Sequence, residues 1–273
     1  MTKMTTIIRE KKQLIQDLSV AYLEAGPQSG QTIILFHGFP DSPTSYSEIM
    51  IELATQGYHV IAPYLRGFAP TTLTAPNETP AGDIETLGAD AIRFFDSLHL
   101  NKAIIVGQDW GSAVAEILSI FRANAIHKLV KLNWYGIYMM GDTVTQFDAE
   151  GFSYRLWRQW TPNWDNHQEE LFKRAKSAFQ TPEFSKIVLS AYRSGMHPQK
   201  TGDHLHQKLA TLPPIQTNTI ILSGSHAPVD SGVMSQDVSQ QYFTGRFEHR
   251  VIPNVGHFIH HQNKEAVISA ILS

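Results

Sequence analysis

The stretch Ala103-Ile104-Ile105-Val106-Gly107-Gln108-Asp109-Trp110-Gly111 decides the fold that we expect for this chain. Its apolar, β-branched start predicts a short buried strand, and the amphipathic segment that follows predicts a helix. Between them, Gly107 and Gly111 predict a sharp turn, because a Cβ at either position would collide with its neighbours. This is the layout of a nucleophile elbow, a strained turn that exposes its central side chain, here Asp109.

The central residue of such a turn is usually a serine, and here it is a carboxylate. A serine nucleophile must first lose its proton to a base, whereas Asp109 is already ionised at neutral pH. Its natural chemistry is displacement at a saturated carbon, which forms an alkyl ester. Water must then cleave that ester, so a general base is expected elsewhere in the chain.

Strands and helices alternate over most of the sequence, which predicts an α/β fold with a mostly parallel central sheet flanked by helices. Between residues 135 and 212 the strand pattern stops, and aromatic segments of helical character replace it. We therefore predict a helical cap at 135–212, inserted into a core formed by residues 1–134 and 213–273. The predicted strands are 31–36, 59–64, 103–106, 128–134, 219–222 and 248–252, and the predicted helices are 45–56, 84–98, 110–122 and 258–272.

His257 follows the last predicted strand and precedes the last helix, where the chain order nucleophile, acid, histidine places the base. It would deprotonate the water that attacks the ester. An imidazole base needs a carboxylate to hold its tautomer. Asp230 is the first acid after the strand 219–222, with Asp237 as the next choice and Asp142 as the third.

Other histidines are interpreted as structural. His260 and His261 beside the base are expected to be partly exposed residues that cap the final helix. A metal cluster of 257, 260 and 261 lacks a carboxylate at suitable spacing, and His204 and His206 are expected at the surface. No metal and no organic cofactor is predicted.

The turn His37-Gly38-Phe39-Pro40 follows the first predicted core strand. When hydroxide adds to the ester, negative charge develops on the carbonyl oxygen, and backbone N–H groups can stabilise it. The N–H groups of Phe39 and Trp110 are the candidates for this oxyanion hole. Pro40 has no donor, but it fixes the loop.

Composition excludes several classes of function. The 273 residues carry a formal net charge of −3 with mixed signs, so no nucleic-acid or membrane-surface footprint is visible. No run approaches the roughly 20 apolar residues that span a bilayer. The first residues resemble no secretory leader, and cysteine is absent, which excludes thiolate chemistry. A cytoplasmic location is the default expectation.

These motifs together resemble the epoxide hydrolases of α/β-hydrolase fold and their haloalkane dehalogenase relatives. The resemblance rests on His37-Gly38-Phe39-Pro40-Asp41-Ser42, Gly107-Gln108-Asp109-Trp110-Gly111 and Gly256-His257-Phe258, and it thins in the cap. Phe39 favours the epoxide hydrolases. The segments Phe152–Gln159 and Ala191-Tyr192-Arg193 resemble those that carry two epoxide-activating tyrosines, which implies Tyr154 and Tyr192. The family's usual acid position is occupied by Ala227, so Asp230 comes late.

The resemblance implies an epoxide hydrolase that forms a vicinal diol, with Asp109 attacking a ring carbon while the two tyrosines protonate the oxygen. The aromatic cap favours an apolar or aromatic-substituted epoxide, and a homodimer is left open. The residues expected at the substrate are His37, Pro40, Trp134 and Trp157. In a haloalkane dehalogenase, the first alternative, Trp110 with Trp134 or Trp157 would bind halide. A fluoroacetate-type enzyme is less expected because no arginine follows Asp109, and a non-catalytic ligand-binding relative is the remaining alternative.

Overall fold

The computed structural model describes residues 7–74, 81–132, 149–194, 204–227 and 242–273. Four of the residues singled out from the sequence, Trp134, Asp142, Asp230 and Asp237, lie outside these ranges.

A twisted, mostly parallel sheet runs through the centre of the molecule, as predicted. Its order is β1-β2-β4-β3-β6-β7-β8-β9, with β5 paired to β2. From β4 to β9 the neighbouring strands are parallel, whereas β1, β2 and β5 join in antiparallel register. The strands are β1 Arg9–Ile15, β2 Leu18–Ala25, β3 Thr32–Phe36, β4 His59–Pro63, β5 Thr72–Leu73, β6 Ala103–Gln108, β7 Ile126–Leu132, β8 Thr219–Gly224 and β9 Phe247–Ile252.

The hairpin of β1 and β2 was not among the predicted strands. β1 is rich in charged residues, and all of it except Ile15 is partly or fully exposed, as is typical of an edge strand that charges protect from further pairing. β2 has one apolar face in a second, smaller core with Phe94 of the helix behind it. The hairpin therefore closes one side of the sheet.

Helices cover both faces of the sheet and form the described part of the insertion between β7 and β8. They are α1 Ser47–Thr55, α2 Ile84–Ser97, α3 Trp110–Phe121, α4 Ala149–Trp160, α5 Asn166–Ala175, α6 Phe184–Ser194, α7 His204–Ala210, α8 Ile259–Gln262 and α9 Lys264–Leu272, with 3₁₀ turns at Pro43–Tyr46, Ala123–Ala125 and Lys176–Phe179. The predicted closing helix is split, because Asn263 caps α9 by accepting a hydrogen bond from the Ala266 N–H at 3.0 Å. Within the described ranges, no helix is both long enough and apolar enough to cross a membrane.

The inserted helices α4 to α7 lie between β7 and β8 in sequence, as the cap prediction requires. α4 packs on the core through Ser153, Trp157 and Trp160, which recur every three or four residues and are buried. The Trp157 indole N–H donates to the Pro40 carbonyl at 2.6 Å, which joins the insertion directly to the loop after β3. The division of the chain into two domains stays a prediction.

Candidate active site

Asp109 sits on the strand-to-helix turn that the sequence predicts. β6 ends at Gln108 and α3 begins at Trp110, with Asp109 between them at φ 53° and ψ −120°. Non-glycine residues rarely adopt a positive φ, and such strain clusters at functional sites. A Cβ on Gly107 would overlap the Gly111 carbonyl oxygen, which explains the glycine at that position. The Asp109 side chain is fully buried.

The two carboxylate oxygens of Asp109 have different surroundings. The Phe39 N–H donates a hydrogen bond to Oδ1 at 3.0 Å, so one of the two predicted oxyanion donors is already directed at the carboxylate. The other, the Trp110 N–H, is the first amide of α3 and so belongs to the helix N-terminus. Oδ2 faces His257, whose Nε2 is 3.6 Å away.

His257 lies at the start of the final helical segment, as predicted, and is buried beside Asp109. Its backbone N–H donates to the Trp160 carbonyl at 3.0 Å, which connects it to the end of α4. Burial lowers the pKa of His257 to about 3, His260 lowers it further, Asp41 opposes this, and His261 has the smallest lowering effect. The imidazole is therefore neutral at physiological pH, which is the form that a general base requires.

Gln108 is a site residue that the sequence analysis missed. Its amide Nε2 is 2.8 Å from Nε2 of His257, and the whole side chain is buried. An amide N–H can donate there only to an imidazole that carries its proton on Nδ1, so Gln108 favours the tautomer with a lone pair on Nε2. Its position directly before Asp109 was the available signal, because the last residue of a strand lies at the same sheet edge as the turn.

The carboxylate partner of His257 stays a prediction. β8 ends at Gly224, and Ala227, which stands at the family's usual acid position, is buried on the turn that follows. The Ala227 N–H donates to the Gly224 carbonyl at 3.1 Å, so the described part of the loop turns tightly. Asp230 comes three residues later, beyond the described residues.

Tyr192 lies beside the two residues that are predicted to supply the oxyanion donors. It is buried on α6, with its ring 5.4 Å from that of Trp110 and 6.0 Å from that of Phe39. Burial raises the pKa of Tyr192 well above its usual value, the charge of Asp109 raises it further, and a hydrogen bond with Trp110 opposes both. An indole N–H can only donate, so that bond leaves the tyrosine O–H available as a donor.

The contacts of Tyr154 lie within the inserted helices, and its role as the second tyrosine donor stays a prediction. The Tyr154 hydroxyl donates to Glu169 Oε2 at 3.0 Å, and its ring packs on Trp164 and Phe172 within the inserted helices. The physical reason is helical rotation. Ser153 and Trp157 occupy the face of α4 that packs on the core, and the next residue after Ser153 is turned about 100° away from it.

Three of the residues predicted to contact the substrate make hydrogen bonds within the protein, and their contact with a substrate stays a prediction. His37 accepts the Leu65 N–H at Nε2, at 3.1 Å, and its Nδ1 is 2.9 Å from the Gly38 carbonyl, so both ring nitrogens are engaged. Burial lowers its pKa to about 4. The Trp157 N–H and the Pro40 carbonyl are hydrogen-bonded to each other. Trp157 therefore has no indole N–H left for a halide, and all three residues hold the loop that carries Phe39.

Aromatic rings line the region around Asp109. Phe39 stacks on Trp110 at 5.5 Å, and Phe68 contacts both Trp110 and Phe184 edge to face. All four rings are almost completely buried. Such walls exclude water and favour an apolar ligand.

A second group of buried polar side chains joins the loop after β3 to α8. Asp41 accepts hydrogen bonds at Oδ2 from Nε2 of His260 at 2.8 Å and of His261 at 3.1 Å. All three side chains are buried, so the interpretation of the two histidines as partly exposed capping residues was wrong. The sequence could not supply the carboxylate, because it lies 219 and 220 residues away from them. Burial would raise the pKa of Asp41, but the two imidazoles hold it far below its usual value.

The chain belongs to the alpha/beta hydrolase family, whose model matches residues 33–270. It is 33% identical to Epoxide hydrolase A of Mycobacterium tuberculosis over 111 residues, which are 41% of this chain and 34% of that protein. It is 23% identical to Epoxide hydrolase 3 of Mus musculus over 262 residues, which are 89% of this chain and 70% of that protein. The matches to the first curated relatives thus span about a third of each relative's length.

Solved structures agree with these relatives. A candidate epoxide hydrolase of Klebsiella pneumoniae superposes with a TM-score of 0.85 at 26% identity, covering 97% of this chain and 96% of the other. Epoxide Hydrolase A of Mycobacterium thermoresistibile superposes with a TM-score of 0.74 at 19% identity, covering 97% of each chain, and shows the shared fold. The resemblance to epoxide hydrolases of α/β-hydrolase fold, drawn from three short motifs, is confirmed.

Proposed function

We propose that this protein hydrolyses an epoxide to a vicinal diol through an ester on Asp109. The observation that carries the proposal is that the two carboxylate oxygens of Asp109 have different neighbours. Phe39 holds Oδ1 at 3.0 Å, while Oδ2 lies 3.6 Å from the imidazole of His257. Oδ2 is the oxygen suited to attack, and Oδ1 becomes the ester carbonyl oxygen, with its hydrogen-bond donor already in position.

In the first step, Oδ2 forms a bond to a ring carbon and the bond from that carbon to the epoxide oxygen breaks. The leaving oxygen takes a proton from Tyr192, the buried phenol beside Trp110. The position of a buried phenol beside Trp110 supports an epoxide over a halide, because only the alkoxide leaving group needs a proton donor.

In the second step, His257 takes a proton from water as the water oxygen bonds to the ester carbon. Negative charge collects on Oδ1, where the Phe39 N–H stabilises it, and the Trp110 N–H is the proposed second donor. The bond from the ester carbon to Oδ2 then breaks, and the diol oxygen receives the proton from the imidazolium. The second proton of the water, left on the Asp109 carboxyl, returns to the Tyr192 phenolate, which restores both groups. A neutral imidazole is required at the start, and the low pKa of His257 supplies it.

The aromatic lining supports an apolar or aromatic-substituted epoxide as substrate. Phe39, Phe68, Trp110 and Phe184 offer ring faces and edges rather than charges. We propose that the helices of the insertion act as a cap that keeps this region dry. A dry site strengthens the hydrogen bonds to the developing charge.

The test is intact-mass analysis of a His257→Gln variant mixed with styrene oxide. We expect a stable adduct whose mass equals that of the whole epoxide, because attack proceeds and hydrolysis stops. Asp109→Asn in the same background is the matched control and should gain no mass. Adduct formation from a haloalkane with halide release, and none from the epoxide, would favour the dehalogenase. If the wild type turns over neither compound and the variant traps neither, the proposal fails.

A further inference from the structure

Two imidazoles and one carboxylate converge in the buried group Asp41–His260–His261, away from Asp109. One ligand-type atom from each residue lies within 4.8 Å of the others. The Asp41 and the two histidine side chains are completely shielded from solvent. A carboxylate with two imidazoles is a donor set that binds Zn²⁺ and related divalent cations.

The carboxylate is oriented before any ligand arrives. The Ser42 N–H donates to Asp41 Oδ1 at 2.7 Å, which leaves Oδ2 directed at the histidines. The Ser45 hydroxyl lies 3.0 Å from Oδ2 and 3.3 Å from His260 Nε2, so a fourth oxygen stands beside the three donors. Outer hydrogen bonds of this kind fix the direction of metal ligands.

The spacing of these atoms suits a tetrahedral cation. Bonds of roughly 2.0–2.1 Å to oxygen and nitrogen place tetrahedral ligands about 3.3 Å apart. Asp41 Oδ2 lies 2.8 Å from His260 Nε2 and 3.1 Å from His261 Nε2, and the three ligand atoms all lie within 4.8 Å of one another. Lengthening the two contacts of Oδ2 by a few tenths of an ångström would bring them to the tetrahedral spacing.

The ring protons of His260 and His261 can also be arranged for metal binding. Each imidazole now presents an Nε2–H to Asp41, and a metal ion would need the Nε2 lone pair. The proton can move to Nδ1, because the Nδ1 atoms of His260 and His261 have no hydrogen-bond partner among the described residues. Binding then needs only a change of tautomer, with no net release of protons from the histidines.

A route to the group exists from the surface. A cavity of about 160 Å³ is lined by Ser45, His260 and His261 and, towards solvent, by Glu48 and His167. The Glu48 carboxylate at the entrance is 44% exposed and pairs with Lys264 at 3.1 Å, and Glu265 also lines the cavity, so the entrance carries charges of both signs. The cavity also has room for a water molecule at an open coordination position.

We propose that Asp41, His260 and His261 form a Zn²⁺-binding site whose fourth position is filled by water from the cavity, next to the Ser45 hydroxyl. The site joins the loop that carries Phe39 to α8, which begins two residues after His257. A bound cation would therefore stabilise the relative position of the oxyanion donor and the base. The chemistry at Asp109 does not pass through the metal.

The test uses untagged protein that has been treated with a chelator and then dialysed. Titration with Co²⁺ should produce the visible absorption of a tetrahedral site, saturating at one equivalent, and Zn²⁺ should abolish it. Zn²⁺ should also raise the melting temperature of the same preparation. Absence of saturable binding by either ion would overturn the proposal.

Variants locate the site. His261→Gln and Asp41→Asn should each weaken Zn²⁺ binding by about 10-fold or more, whereas His206→Gln, on α7 beside Glu85, should leave it unchanged. Equal binding by all four proteins would place the metal elsewhere and refute the assignment. If the Asp41 or His261 variant does not fold, X-ray absorption of the Zn²⁺-loaded wild type decides, because the proposal requires two imidazoles in the shell.

Discussion

At the end of β6, Gln108 and Asp109 both face one imidazole. We expect Gln108→Leu to slow ester hydrolysis by about 10-fold, a fraction of the 10²–10⁴-fold that general base catalysis contributes. The reason is that His257 loses the hydrogen bond at 2.8 Å that selects its tautomer. Alkylation of Asp109 should be nearly unchanged, so rapid-quench intact-mass analysis should show the ester accumulating.

The matched control is Gln168→Leu, another buried glutamine, located on α5. It should accumulate no ester. If Gln108→Leu also shows no accumulation, or if its alkylation step is the one that slows, Gln108 has no positioning role at the base.

Tyr192 and Tyr154 provide a direct contrast between the two tyrosines. Tyr192→Phe should slow alkylation by about 10²-fold, the effect of losing one donor at a developing oxyanion. Tyr154→Phe should change the rate little, because its hydroxyl is engaged with Glu169. Single-turnover rates of adduct formation measure both. Equal losses in the two variants would restore the pair implied by the resemblance.

The residues that sequence could identify are those whose role is encoded locally. Asp109 and His257 each stand in a short motif after a strand, so the residues next to them in sequence predict the turn. Asp41 and His260 are 219 residues apart, and no local pattern joins them. Tyr154 is harder to predict from sequence, because the direction of a side chain on a helix depends on which face packs, and the motif alone does not fix that face.

Among the elements, α4 is tied to the core by one indole. Trp157→Phe removes the donor of the 2.6 Å hydrogen bond to Pro40 and leaves a buried carbonyl without it. Such a loss costs about 1–3 kcal/mol. We expect faster hydrogen exchange in α4, together with a lower melting temperature.

Trp164→Phe is the control for that experiment. Its indole N–H bonds to Glu169 at a partly exposed position, so the substitution should affect exchange in α4 much less. Equal protection of α4 in Trp157→Phe and the wild type would mean that the bond to Pro40 does not anchor the helix.

The elements themselves were predictable where hydrophobic periodicity was strong. The parallel strands β3, β4, β6 and β8 are mostly apolar runs before turns, and each was found within a few residues. The β1–β2 hairpin escaped because its edge strand is charged and largely exposed. The single closing helix was wrong at Asn263, where a side-chain cap starts a new helix.

For the molecule as a whole, buried histidines predict sensitivity to acid. Burial lowers the pKa of His37 to about 4 and that of His257 to about 3, from the usual 6.5. In the unfolded chain both take up protons as the pH falls through 6.5, while the folded protein keeps them neutral. The unfolded state therefore binds more protons in this window, and the free energy of unfolding falls with pH from about 6.5 to about 4.

Each group contributes about 1.4 kcal/mol per pH unit, so the pair gives a slope of about 3 kcal/mol per unit. Calorimetry in the presence of a chelator should show the melting temperature nearly constant from pH 7 to 9 and dropping steeply below 6.5. A melting temperature that holds from pH 7 down to pH 5 would contradict the burial of these rings as neutral imidazoles.

The hydrogen bond between Trp157 and Pro40 also limits the path by which substrate and product can move. Pro40 follows Phe39, whose N–H donates a hydrogen bond to Asp109. Because Trp157 of α4 is hydrogen-bonded to Pro40, a movement of α4 large enough to admit a substrate would pull the Phe39 N–H away from Asp109. If α4 moves away from the core with this hydrogen bond intact, Asp109 therefore loses its contact with the Phe39 N–H. We therefore expect substrate and product to enter and leave by a path that does not require α4 to move.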